Sequence, residues 1–552
     1  MAIETELRFQ LDARQARAVL GDPKIAAGLQ RRPLSSIYYD TADFALAQRR
    51  AGLRLRRMGR RWVQTFKCEL PDAPDHRRGE WEWPVPRAAI DFDLLAETPL
   101  GDWFAKPRNR EALAPAFETR FTRSSALIQH GATAIELAVD RGSVIAGEQS
   151  EPILELELEL KDGPVDGLYE FALAMNRDHA LMPEPRSKAA RGFLLSTGAK
   201  PGPRRAPKLQ LEADATAEQA FVSVMLNCLA HLQGNAAGVH RGDDDPEYVH
   251  QARVALRRMR STLVTFRRAI PRASSDSLSS EARGLASALG AARDLDVFEE
   301  GTLQPLAAAG HATRLVGAFE RLVLLRRQAQ QQAAEALSPP GYTAFVLHLL
   351  RWIDAAGWRA ARVEDPPPAL PADGGRDANT RNDRGDRGDR GDRGDRNAEG
   401  DGVPAERAEV RRQKAGVRRF AADTLDRRHR AVLAIGGRPS ALDIEARHEL
   451  RIAVKKLRYA AESFASLNGA KAEKAAGTYL AAMARLQQSL GTLNDMATAE
   501  RLVSPGSGGP FEGAIDEAGL ALLAGWRLGL CTAVLEDADR AWNRLRDAGR
   551  FW

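Results

Sequence analysis

The stretch Ile153-Leu-Glu-Leu-Glu-Leu-Glu-Leu-Lys161 constrains the fold more than any other part of the chain. Read with the two-residue period of a strand, it puts Glu155, Glu157 and Glu159 on one face and Leu154, Leu156, Leu158 and Leu160 on the other. Three carboxylates side by side repel one another. A solvated outer face of an antiparallel sheet accommodates them. So does a cation site, because closely spaced carboxylate oxygens are what a hard divalent metal needs in place of its water shell.

With 552 residues the chain is too long for a single core, and ordinary domain sizes imply roughly two to four domains. Lys and Arg number 80 against 74 Asp and Glu, a formal charge of +6, so only local clustering can identify a charged partner. Cys68, Cys228 and Cys531 form neither a disulfide framework nor a Cys-x-x-Cys site, which suits a reducing compartment. Glu4, Glu6 and Arg8 interrupt any signal-peptide core, and no later stretch reads as about 18 uninterrupted apolar residues. A soluble, cytoplasmic protein without a membrane span is the expectation.

The first two hundred residues carry strand patterns at 3–9, 36–40, 52–57, 62–69, 79–85, 117–124, 133–140 and 143–146, with helices at 12–20 and 164–179. Parity sorts their charges. Glu4, Glu6 and Arg8 share a face; Arg54 and Arg56 oppose Leu53 and Leu55; Lys67 opposes Phe66 and Cys68; Glu80 and Glu82 oppose Trp81 and Trp83. Strand after strand has one apolar and one charged face, and the charged faces hold both signs. An open sheet wetted on one side gives this pattern. A closed barrel gives it too, and there the two signs would compensate one another around a bound anion and its metals.

Seven features follow one another over residues 1–200: the Glu4-x-Glu6-x-Arg8 strand, Tyr38-Tyr-Asp-Thr41, Leu53-Arg-Leu-Arg56, Lys67, the Asp140-Arg-Gly142 turn, the three-glutamate strand and Ser187-Lys-Ala-Ala-Arg-Gly192. Their order resembles that of the CYTH family, the triphosphate tunnel metalloenzymes. The chain resembles that family, with one departure: Arg8 stands where the family signature has lysine, so a forked guanidinium replaces a compact ammonium. The resemblance implies an eight-stranded antiparallel tunnel that holds a linear triphosphate with Mg²⁺ or Mn²⁺. It implies metal ligation by Glu4, Glu6, Glu155 and Glu157, and substrate binding by Arg54, Arg56, Lys67, Arg120 and Lys188. Arg123 ranks below Arg120 because its parity is opposite. Glu4, Glu6, Arg8 and Lys67 form the implied catalytic set, with water as the nucleophile.

Pro201-Gly-Pro-Arg-Arg-Ala-Pro207 breaks both periods, and 201–215 reads as a linker. Beyond it the pattern is helical and repeated. His250-Gln-Ala-Arg-Val-Ala-Leu-Arg-Arg-Met-Arg260 matches His448-Glu-Leu-Arg-Ile-Ala-Val-Lys-Lys-Leu-Arg458, and Leu289-Gly290 with Arg293-Asp294 is echoed by Leu490-Gly491 with Asn494-Asp495. At helical spacing, His250, Arg253, Arg257 and Arg260 fall on an arc of roughly 80°, as do His448, Arg451, Lys455 and Arg458. Residues 216–550 resemble the CHAD domain, which implies that these stripes bind inorganic polyphosphate. Nucleic acid is a rival polyanion, but no stacking aromatics interleave with the basic residues. Each histidine lacks a second histidine one turn away, so neither is assigned to a metal. The repeats are expected at about 216–362 and 406–550, around a charged, Gly-rich insert at about 366–405 that is expected to be disordered.

The expected fold is therefore α+β multidomain: an N-terminal β tunnel and a C-terminal, duplicated all-α bundle. The expected function is metal-dependent hydrolysis of inorganic triphosphate or short polyphosphate, with polyphosphate held by the helical part. A polyphosphate binder without turnover, a thiamine triphosphatase, an adenylate cyclase and a helical nucleic-acid binder remain alternatives. The expected location is the cytoplasm, including its polyphosphate granules, and no membrane partner is foreseen.

Overall fold

The computed structural model describes residues 2–69, 77–198, 202–359, 416–467, 469–504 and 509–552. The insert expected at 366–405 and the side chain of Glu4 lie outside the described residues. There are two compact units. One is Met1–Arg204 with Gln233–His240 and Ala336–Gly357; the other is Arg205–Leu232, Arg241–Glu335 and Trp358–Trp552.

The first unit is built on β1 (Ala2–Gln10), α1 (Ala13–Gly21), β2 (Gln30–Asp40), the short α2 (Ala45–Gln48), β3 (Ala51–Met58), β4 (Arg61–Glu69), β5 (Arg77–Val85), β6 (Ala114–His130), β7 (Thr133–Ala146) and β8 (Gln149–Asp162). After these come α3 (Val165–His179), the two-residue β9 (Met182–Pro183) and α4 (Lys188–Ser196). The strand order is β5-β4-β3-β2-β6-β7-β8-β1, and β1 also pairs with β5. Eight antiparallel strands therefore close into a ring, with β9 beside the end of β1. Closure leaves the long strands no unpaired edge.

The ring has two apolar layers. Outside it, Leu137, Leu156, Leu158 and Phe9 are buried, and α1 and α3 pack against β8. Inside, one end is plugged by Leu34, Tyr38, Phe117, Phe121, Val144 and Ile153, against which Ala189 and Phe193 of α4 pack. The remainder of the interior is charged.

The sequence separated 133–140 from 143–146 by a turn at Asp140-Arg-Gly142, but the structure runs them as one strand. Gly142 serves close approach instead of a turn. A Cβ there would lie 2.1 Å from the Arg120 carbonyl oxygen and 2.4 Å from the Phe121 Cα on β6.

The remaining principal helices are α5 (Ala217–Arg241), α6 (Glu247–Thr265), α7 (Asp276–Ala288), α8 (Gly290–Phe298), α9 (Val316–Ala336), α10 (Gly341–Asp354), α11 (Val417–Ile435), α12 (Ile444–Phe464), α13 (Gly469–Val503) and α14 (Glu517–Asp547). Helix α10 belongs to the first unit, where it lies on α3. Tyr169 OH donates to Asp354 Oδ2 at 2.6 Å, and Arg351 pairs with Asp166 and Glu170, each at 2.9 Å.

In the second unit the repeated helices meet, α6 against α12 and α8 against α13. Phe266 stacks on Phe420 with centroids 5.2 Å apart and touches Phe464 at 5.6 Å, so the two repeats share one core. Helix α14 is long and apolar enough to cross a membrane, with a mean hydropathy of 1.6 over 18 residues. Arg527 interrupts its apolar run and pairs with Glu500 of α13, along which α14 packs.

Candidate functional site

The charged part of the ring interior encloses a cavity of about 560 Å³. Among the described residues its wall carries nine Arg and Lys side chains and six Glu, a formal excess of three positive charges. Register explains how they meet. Directly opposed residues of neighbouring strands share a face, and Gly52, Lys67 and Glu80 form one such row across β3, β4 and β5. Glu6, Glu159 and Glu136 form another across β1, β8 and β7.

Glu6 and Arg8, two apart on β1, pair at 3.0 Å. Burial works against the Arg8 charge, but Glu6, Glu157 and Glu155 outweigh it and raise the guanidinium above its ordinary value. Lys67 pairs with Glu80 at 3.1 Å, and Arg54 lies 3.6 Å from both Glu80 and Glu82. Arg56 differs from these. Its Nε donates to Ser36 Oγ at 3.2 Å, and no carboxylate lies within ion-pair distance of it among the described residues. Burial and then the neighbouring Arg54 push its guanidinium down to about 10.

Helix α4 supplies the rest of the wall. Ser187 caps it, its Oγ accepting from Ala190 N at 3.1 Å. Lys188 and Arg191, three apart and hence on one helix face, both reach inward. Lys188 Nζ lies 2.6 Å from Asp140 and 2.7 Å from Glu157 and also contacts Glu155. Arg191 pairs with Glu155 at 3.0 Å and Glu151 at 2.8 Å. Burial alone would raise the Glu157 carboxyl, but Lys188 and Arg123 hold it well below the usual carboxylate range. Gly192 lets the helix lie flat on the plug: a Cβ there would fall 2.1 Å from the Phe117 ring.

The structure moves two of the sequence-derived assignments. Arg120 points outward, its side chain 65% exposed and paired with Glu118 at 2.7 Å. Arg123 points inward, donating to both Asp140 oxygens at 2.8 and 2.7 Å and contacting Glu157. The parity argument took every interior face to be charged. On β6 the inward face carries Phe117 and Phe121 of the plug together with Arg123. Glu155, expected beside Glu157 as a metal ligand, is only 1% exposed and lies behind the cavity wall, between Lys188 and Arg191. Glu4 has its backbone in β1, opposite Arg78. The sequence reading missed Arg32 and Lys161, which also line the cavity; Lys161 pairs with Glu159 at 2.6 Å and Glu136 at 3.0 Å. Lys161 stands two residues after Glu159 and so shares its face, where the cavity needs it.

In the second unit the stripes of α6 and α12 act on one another. Arg257 Nε donates to Tyr459 OH at 2.8 Å across the repeats, and Arg253 Nη1 donates to the Ala286 carbonyl at 2.8 Å. Burial and then Arg451 and Arg257 push the Lys455 ammonium down to about 7. Burial also lowers His250 and His448, assisted by nearby arginines. The echoed acids Asp294 and Asp495 face these cations; burial raises both carboxyls, and Arg253 and Arg451 oppose the rise. Arg260 is half-buried on α6. Arg458 is engaged by Glu462 at 2.7 Å.

A closed antiparallel tunnel with a charged cavity, followed by a duplicated helical bundle with facing basic stripes, defines a two-part architecture. The chain belongs to the CHAD domain family, whose sequence model matches residues 223–504, about half the chain, and it carries a CYTH domain at residues 2–193. An inorganic triphosphatase from Haemophilus influenzae is 32% identical over 166 residues, which make up 30% of this chain and 46% of that protein. The chain thus spans about half the length of that relative. The crystal structure of a CHAD domain from Ricinus communis is 28% identical, covers 63% of this chain and 93% of its own, and gives a TM-score of 0.39. A candidate adenylyl cyclase from Hippeastrum with a dominant triphosphatase activity is 18% identical, covers 36% of this chain and 97% of its own, and gives a TM-score of 0.27.

CYTH triphosphatases are metal-dependent, and the donor chemistry of this cavity fits a hard divalent cation. Glu6, Glu80, Glu82, Glu157 and Glu159 all present carboxylate oxygens to it. Asp140, Glu155 and Glu157 also bring oxygens within 4.8 Å of one another, but the Lys188 ammonium is already seated there.

Proposed function

We propose that the tunnel hydrolyses a terminal phosphoanhydride bond of inorganic triphosphate or short polyphosphate, and that the helical unit binds polyphosphate. The observation that carries this reading is the positive excess on the cavity wall, where Arg56 has no carboxylate within ion-pair distance among the described residues. A linear triphosphate carries on the order of four to five negative charges. An excess of three from the wall plus one divalent ion comes close to neutralising it.

Arg54, Arg56, Lys67 and Lys188 supply fixed N–H donors for phosphate oxygens, set in place by neighbouring strands and α4. Because Arg54, Lys67 and Lys188 are already held by carboxylates and Arg56 by the Ser36 hydroxyl, little reorganisation is needed when the anion enters. Mg²⁺ or Mn²⁺, held by Glu6 and Glu157 with Glu4 and Glu159 nearby in sequence, would neutralise phosphate oxygens and make a water more acidic. A wall glutamate can take the proton of the attacking water as the phosphorus–oxygen bridge breaks and inorganic phosphate separates. In the helical unit, Arg253, Arg257, Arg451 and Lys455 offer a second run of cations for a longer chain of the same chemistry.

The test is phosphate release by the full chain from triphosphate, short polyphosphate, thiamine triphosphate and ATP, with Mg²⁺, with Mn²⁺ and after chelation. Triphosphate or polyphosphate turnover that requires metal and weakens about ten- to hundredfold in KM for Arg56→Ala is expected. A preference for ATP or thiamine triphosphate, or turnover indifferent to chelation, overturns the reading.

A further inference from the structure

Helix α14 leaves an apolar face uncovered. Over 18 residues its mean hydropathy is 1.6, yet only 11% of that window is buried. At 100° per residue, Ala518, Ala521, Ala524, Gly525, Leu528 and Thr532 fall within an arc of roughly 120°, and all six are exposed. Charge returns to this face only at Glu517 and Glu536. The face is also uneven. Leu528 stands out, 66% exposed, while a Cβ built on Gly525 or Gly529 beside it meets nothing within 4 Å. Towards the N-terminus a cavity of about 410 Å³ opens between α13 and α14, lined by Ala499, Val503, Leu520 and Trp526, with the exposed Ala521 and Ala524 at its rim. A knob and a hole therefore lie on one face of one helix.

We propose that this face joins two copies of the chain, α14 packing antiparallel on α14 of a second copy about a two-fold axis, with Leu528 of each seated in the cavity of the other. A knob and a hole on the same surface meet the condition for an isologous contact, in which each copy does to its partner what the partner does to it. An axis between Ala524 and Gly525 sets Leu528 against Ala521 twice over, because the two lie equally far from it along the helix. Glu517 then meets Thr532 and no second acid. A parallel pairing would bring Glu517 against Glu517 and set the two helix dipoles side by side in the same sense. The small residues around Leu528 let the backbones approach closely enough for the leucine to enter.

A lipid surface fits the face less well. Helices that lie in a bilayer interface carry Lys and Arg along their polar flank, whereas α14 is bounded by Asp516 and Glu517 at one end and by Glu536, Asp537 and Asp539 at the other. Area sets the strength of the contact. The apolar window rises roughly 27 Å. A strip of that length and about 10 Å wide offers roughly 300 Å² per copy, against the ~800 Å² per partner of a stable interface. The association is therefore weak and reversible, with Kd in the micromolar range or above. It does not depend on the chemistry of the tunnel.

The experiment is sedimentation equilibrium of the full-length protein over a concentration series reaching about 100 μM, with melting temperature measured alongside. The wild type is expected to populate a dimer that dissociates on dilution. Leu528→Asp, which carries a charge into an apolar hole, should weaken association at least about tenfold. In Gly525→Leu the new Cβ meets nothing within 4 Å and a helix-weakening glycine is removed, so this variant should melt no lower than the wild type. Wedged between the copies, the added leucine should nevertheless weaken association about tenfold or more. A wild type that stays monomeric throughout overturns the proposal, as does a dimer that both variants leave intact. Flotation with phosphatidylcholine vesicles, with and without phosphatidylglycerol, tests the rival occupant. A protein that floats with either and loses this in Leu528→Asp gives the face to lipid, which also overturns the proposal. Should Leu528→Asp fail to fold, Gly525→Leu decides alone.

Discussion

Lys455 shows how much one side chain can depend on its setting. An exposed lysine stays charged to about pH 10, yet here burial and then Arg451 and Arg257 bring the ammonium down to about 7, with Asp495 opposing and Arg253 assisting. The sign follows from linkage. The folded value is depressed, so between about 7 and the unfolded value the native state binds fewer protons than the unfolded one, and this residue's contribution to stability rises with pH. Binding a polyanion favours the charged form and takes up a proton. Polyphosphate affinity should therefore fall by up to about tenfold per pH unit above neutrality. Calorimetry in buffers of different ionisation enthalpy should detect proton uptake that Lys455→Arg abolishes; uptake unchanged in that variant would shift the effect to His250 or His448. The alternation of residues on β1, β3, β4 and β8 was enough to put Glu6, Arg8, Arg54, Arg56, Lys67 and Glu157 on one set of faces. It failed for Arg120 and Arg123 because a tunnel interior need not be polar along its whole length. It also could not reveal that Lys188 and Arg191, more than thirty residues downstream of Glu155, would sequester that carboxylate.

At the scale of elements, α4 shows why a short motif resists reading by pattern alone. Its Ser187 cap is an ordinary helix-start signal, and Lys188 was recognisable as a cation. The reason for Gly192 appears only once Phe117 of β6 lies beneath it. Replacing Gly192 by Ala forces a methyl group into that ring. It should cost about 1–3 kcal/mol of stability, measured by chemical denaturation, and should weaken triphosphate binding by shifting Lys188. A variant as stable as the wild type would mean that α4 can lift off the plug without penalty. Gly142 was misread for the same kind of reason: a glycine after Asp-Arg looks like a turn, yet here it clears space for the neighbouring strand.

Across the whole molecule, the succession of strands along the chain and the repeated helical motif were legible, because alternation and repetition are local or self-similar signals, whereas the pairing order of the strands was not. The membership of α10 was not. Nothing in Gly341-Tyr-Thr-Ala-Phe-Val announces that this helix lies on α3 of the tunnel unit, since that contact joins residues more than 160 apart. Leu347 of α10 is 2% exposed. Leu347→Asp should therefore cost roughly 3 kcal/mol or more and lower the melting temperature of the tunnel unit, read by near-ultraviolet circular dichroism with and without triphosphate. Ligand-dependent stabilisation that survives at full strength would show that α3 does not need this cover.

The pairing of β1 with both β5 and β8 also sets a timetable for biosynthesis. Within the ring, β1 is made before both of its neighbours, one near residue 80 and another near residue 159. It is therefore enclosed only after β8 is complete, and a chain stalled before β8 presents β1 with one flank bare, ready to pair with whatever strand it meets first.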